Sequence, residues 1–192
     1  MGILVLGLVV FLGMHSLRMV APSWRTAAVR RIGERRWKGV YALASIIGFA
    51  LIVWGFVLAR ERTVTLWASP FLMRFVTATL TALAFILVAA AYVPNTRIRA
   101  RMGHPMLLGV QLWAIGHLLA IGTAAAAVLF GSFLLWSLAD FVSCRRRDRE
   151  AGTRYPAGFA ARDARAAIIG GVAWAIFAFY VHGWLIGVSP FG

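Results

Sequence analysis

The sequence predicts an all-α fold, a polytopic membrane helical bundle of about six transmembrane helices forming a single integral membrane domain over residues 1–192. Three observations predict it. Hydrophobic residues make up 61% of the chain, where a soluble domain of this size is roughly half apolar. They are gathered into uncharged runs close to the ~20 residues that a spanning helix needs. The 20 Lys and Arg residues fall almost entirely between those runs, which is the positive-inside pattern of membrane proteins.

The first run is Met1 to Val20. Met19-Val20-Ala21 before Pro22 resembles a cleavage site. A secretory signal, however, carries its positive charge ahead of the apolar core, and here charge follows, from Arg18 onward. The run therefore reads as a retained span. Pro22 to Lys38 is basic, with Trp24, Val29, Ile32 and Trp37 interleaved. It reads equally well as an interfacial helix on anionic lipid and as a solvated connector. The second span is Gly39 to Ala59 and the third Phe71 to Val93, closed by Pro94. Pro105 suits the first turn of the fourth helix, where a missing N–H costs nothing, and that helix runs from Met106 to Ile121. Gly122-Thr123 marks a tight turn before the fifth span, Ala124 to Val142. One unbroken helix over Met106–Val142 would be about 55 Å long, far beyond the hydrocarbon core, so a hairpin is the better reading. The sixth span is Ala166 to Val188, before Pro190.

Loop charge sets the orientation. The first-to-second, third-to-fourth and fifth-to-sixth loops carry seven, three and seven basic residues, against only Arg60, Arg62 and Arg74 on the other side. Six spans alternate sides as this split demands, which places both termini outside, in the periplasm if the cell is Gram-negative. The same placement explains the net charge of +14 without nucleic acid, whose binding modules carry basic residues on a folded polar surface. The partners implied are membrane lipids. With Cys144 as the one cysteine, no intrachain disulfide forms; beside Arg145–Arg147 it reads as an ordinary interfacial thiol.

Ionisable groups inside a bilayer are costly and mark functional positions. The proposed spans contain His15, His117, His182 and Asp140, with His104 at an interface. Two intramembrane histidines on different helices suit the two axial positions of a b-type haem. No Cys-x-x-Cys-His motif is present, so covalent attachment does not apply. The plainer reading is that each imidazole hydrogen-bonds across helices. A zinc or di-iron site fits less well, because the spans lack Glu and any His-Glu-x-x-His motif. Asp140 reads as a partner for a basic residue at the interface. Gln111 is either helix–helix glue or a ligand-orienting group. Gly7, Gly13, Gly116, Gly170 and Gly171 allow close helix approach or cofactor access. Trp24, Trp37, Tyr41, Trp67 and Trp184 fit the interfacial aromatic belt.

The segment from His104-Pro105 through Gly109, Gln111, Trp113 and Gly116 to His117 and Ala120 resembles the NnrU family. So do Gly131-Ser132-Phe133-Leu134-Leu135-Trp136 and Phe11-Leu12-Gly13-Met14-His15-Ser16. The stretches stand in the family's order and cover nearly the whole chain. The resemblance implies an inner-membrane protein linked with denitrification and nitric oxide metabolism. It also implies kinship with the plastid 15-cis-ζ-carotene isomerase, a membrane enzyme with a b-type haem. The axial histidines implied for that enzyme fall on His15 and His117, with His104 and His182 as the other imidazoles available. One departure stands out: the isomerase's cysteine, proposed to exchange with a histidine on redox change, corresponds to Ala114. A fainter likeness joins Arg101-Met102-Gly103-His104-Pro105 and Gly109 to membrane methyltransferases of the isoprenylcysteine type, without their late acidic residues. The expectation is a haem-b protein, cofactor iron on His15 and His117, isomerising a polyene or other apolar substrate from the lipid. The alternatives are a non-catalytic accessory or sensor of nitrite or nitric oxide reductase and, less well supported, a methyltransferase.

Overall fold

A computed structural model describes residues 1–191. The chain forms two compact units, Met1–Val64 and Thr65–Gly192. Among the described residues, five helices are long and apolar enough to cross a membrane, and a sixth apolar helix is shorter, so the expected helical membrane architecture holds.

In the first unit, α1 (Gly2–Val20) pairs with α3 (Glu34–Arg60), and α2 (Pro22–Ile32) links them. Pro22 opens α2 at a position where its missing N–H is harmless, and Gly33 closes it at φ 84°, a left-handed conformation that glycine adopts without strain. The basic connector is thus a helix, with Trp24 edge-on to Trp37 at 6.0 Å. α3 begins five residues before the expected span. The Glu34–Lys38 ion pair at 2.8 Å joins residues one turn apart, and Trp37 is buried. Glycine lets α1 and α3 approach closely. A β-carbon at Gly7 would stand 2.6 Å from Ile52 N, and one at Gly48 would stand 2.8 Å from Phe11 N. One at Gly55 would meet the Leu4 backbone.

In the second unit, α4 (Met73–Tyr92) packs against α6 (Pro105–Ala120) and α8 (Ala160–Ile176), and α6 packs against α7 (Ala124–Glu150). Small residues again set the spacing: Gly170 lies against the Ile86 backbone and Gly109 against Ala84 O. The expected α6–α7 hairpin is present. Thr123 caps α7 by accepting from Ala126 N at 3.3 Å, and Gly122 O accepts from Leu66 N at 2.7 Å, holding the preceding loop on the turn. α7 runs two turns beyond the expected end because its arginine-rich overhang keeps helical geometry to Glu150.

The opposite end of this unit contains α5 (Arg97–Met102), a short helix that the charge-dense loop did not reveal. Thr96 caps it through Arg99 N at 3.1 Å. Asp163, in the first turn of α8, accepts from Ile98 N at 3.2 Å. After α8 the last span changes pitch through a π turn, Phe177–Val181, before α9 (His182–Ile186).

Candidate functional site

A cavity of about 300 Å³ lies within the second unit. It sits at the end where α4 begins and where α6 and α9 finish. Its walls are aromatic: Phe71, Phe85, Trp113, Trp174, Phe177 and Phe191. Two imidazoles, His117 and His182, join that lining, and so does one cation, Arg74. An apolar hollow with a few polar groups is the usual form of a small-ligand site, and this volume lies at the small end of that class.

Backbone geometry places the polar groups. Thr77 Oγ1 donates to Gly116 O at 2.6 Å, fixing α4 against the turn of α6 that carries His117. Ser69 Oγ donates to Leu119 O at 2.6 Å, bringing the loop before α4 over the end of α6. Trp174 Nε1 donates to Thr81 Oγ1 at 3.0 Å, holding the indole of α8 to α4. The buried N–H of the indole is thereby satisfied.

His117 Nδ1 lies 2.8 Å from Trp113 O. A carbonyl only accepts, so Nδ1 carries the proton and Nε2 keeps a lone pair. The ring stacks on Phe130 with centroids 4.4 Å apart and lies 5.3 Å from Trp113. His182 repeats the pattern, with Nδ1 2.7 Å from Val188 O. It directly follows the π turn, a feature frequent at functional positions. The structure therefore brings His117 and His182 to one cavity. His15 belongs to the first unit. Its Nδ1 lies 2.7 Å from Phe11 O, and its ring stacks on Phe11 at 4.2 Å and tilts against Tyr41 at 5.2 Å.

Ala114 is fully buried on α6 and is not among the cavity's lining residues. Gln111 Nε2 is buried with no hydrogen-bond partner among the described residues. Asp140 meets Arg147 at 3.7 Å, the interfacial pairing expected of it. Arg74, Thr81 and Trp174 did not stand out in the sequence. Arg74 did carry one signal, as a cation on the arginine-poor side.

His104 stands apart from the cavity, at the other end of α6. Its Nε2 donates to Asp148 Oδ2 at 2.8 Å, and Tyr155 OH donates to the same oxygen at 2.7 Å. Burial, then the bond to Asp148, pushes the Tyr155 phenol up from 10.0 to about 12. A raised folded value means that the phenol stabilises the fold fully below pH 10 and loses that contribution as pH climbs toward about 12. A phenolate absorbance titration should therefore show one late-titrating tyrosine that disappears in Tyr155→Phe. Its persistence in that variant would assign the shift to another residue.

A family model described as NnrU protein matches residues 3–190. Comparison with curated proteins finds no match, and comparison with solved structures finds none.

Proposed function

Since the chain belongs to the NnrU family, we propose that it is a haem-b-binding inner-membrane protein whose iron is held by His15 and His117, and that it isomerises a polyene such as ζ-carotene between cis and trans forms. The observation that carries this reading is the state of the two imidazoles. Each gives its Nδ1 proton to the carbonyl four residues back and stacks on an aromatic ring. Metal-ligating histidines are oriented in this way, by a hydrogen bond from one ring nitrogen. Neutral imidazole nitrogen also suits haem iron.

When bound, the haem would supply a redox-active iron able to change the rotation barrier of a conjugated double bond. The chain's own groups do the rest. His15 and His117 would hold the iron. The rings of Phe85, Trp113, Trp174 and Phe177 give a flat conjugated ligand faces to stack on. The apolar wall excludes water, and the Thr81–Trp174 bond fixes one side of it.

A second reading, a non-catalytic accessory or sensor protein for nitrite or nitric oxide reductase, is favoured by the buried Ala114 at the position of the isomerase's cysteine. Absorption spectra of detergent-purified protein test what the two readings share. A Soret band that shifts on reduction is expected; haem-free protein from haem-supplied cells would dismiss both. Expression in a ζ-carotene-accumulating strain then divides them. Conversion of the carotene is expected for the isomerase, and no conversion by a haem-loaded protein selects the accessory role.

A further inference from the structure

We propose that Arg74 is the anion-recognising residue of the His117 cavity, where it takes a propionate carboxylate of the haem. This assignment rests on the haem reading above and extends it to a residue that the axial ligands do not involve.

Among the described residues, the cavity's lining contains one permanently charged side chain, Arg74, and no carboxylate. The chain's six acidic residues are Glu34, Glu61, Asp140, Asp148, Glu150 and Asp163, and none of them forms an ion pair with Arg74 among the described residues. The guanidinium instead lies over the Phe71 ring, 4.0 Å from its centroid. That contact holds the cation but satisfies none of its N–H donors in their plane. The planar fork of arginine matches a carboxylate.

Position supports the same partner. Arg74 precedes Thr77 by three residues on α4, about 4.5 Å along the axis. Thr77 is bonded to Gly116, the residue next to His117. Arg74 therefore lies about one turn nearer the start of α4 than the residue bonded beside His117, and it is exposed. A haem has the matching combination, an apolar ring system with two carboxylates on one edge. Ser189 lines the same cavity and has a hydroxyl proton to donate there.

The test compares haem with its dimethyl ester, which keeps the iron and ring but has no carboxylate charge. Full-length detergent-purified protein is titrated with each, and binding is read from the Soret band. Arg74→Gln is expected to weaken haem binding about 10- to 100-fold, the loss of a charge-assisted bond, while ester binding stays within about twofold of wild type. Arg74→Lys should recover most of the loss. Equal weakening toward haem and ester would make Arg74 a packing residue and overturn the assignment, as would unchanged haem binding. A wild-type protein that takes up neither form overturns the haem reading, and this assignment with it. Uptake of both forms with no effect of Arg74→Gln overturns only the assignment.

Discussion

Gly55→Ala is expected to destabilise the α1–α3 pair by about 1–3 kcal/mol, and Gly55→Leu by more. Two effects of opposite sign compete. Alanine in a helix interior is favoured over glycine by about 1 kcal/mol. Against this, a β-carbon at Gly55 would collide with the backbone of Leu4, whose side chain is fully buried. Backbone cannot rotate away as a flexible side chain can, so the helices must separate. Gly48 meets Phe11 and Gly7 meets Ile52 in the same way, so separation at one point loosens the other two. In lipid this matters more than in water, because close van der Waals packing is a main source of helix association. Gly13 provides the control. It lies on α1, but a β-carbon there would meet nothing within 4 Å, and Gly13→Ala should be neutral or slightly stabilising. Thermal unfolding in detergent, followed by circular dichroism, measures both. Equal midpoints for Gly55→Ala and Gly13→Ala would show that close approach at Gly55 does not stabilise this unit.

Helix placement was legible because the solvent enforces it. A hydrocarbon core demands long uncharged runs, and Gly122-Thr123 interrupts one that is too long to be a single span. Helix ends were less legible. Polar residues at Glu34–Lys38 and Arg145–Glu150 lie outside an apolar run yet continue the helix, since i,i+4 pairing and a propagating backbone do not depend on hydrophobicity. Glycine roles divided by facing. Gly7 and Gly170 sit against neighbouring backbone, whereas Gly13 and Gly171 face open space, and composition does not distinguish the two. The imidazoles of His15, His117 and His182 were legible as costly groups within apolar spans. Their surroundings were not, because His182 reaches the His117 cavity through a π turn, and His104 meets Asp148 and Tyr155 from 44 and 51 residues away. Such meetings are fixed by tertiary packing and leave no local pattern.

On the proposed haem reading, His117→Ala is expected to lower the haem-bound fraction of purified protein more than about tenfold, because it removes a proposed donor atom of the iron rather than a neighbour that orients one. Alanine preserves helix propensity, so α6 and its bond from Thr77 to Gly116 O should persist, and the loss should not reflect unfolding. Added imidazole distinguishes the two explanations. The deleted ring leaves a gap beside Phe130 and Trp113, on which the native imidazole packs, and a free imidazole of the same shape can enter and ligate. Recovery of the Soret band on adding imidazole to His117→Ala is therefore the expected result. His15→Ala should behave alike if the axial pair is His15 and His117, with His182→Ala leaving the band in place. The cavity shared by His117 and His182 gives the comparison its force. A band lost in His182→Ala and kept in His15→Ala would move the second ligand to the second unit, while a band that survives His117→Ala without imidazole would remove the residue on which the haem reading rests.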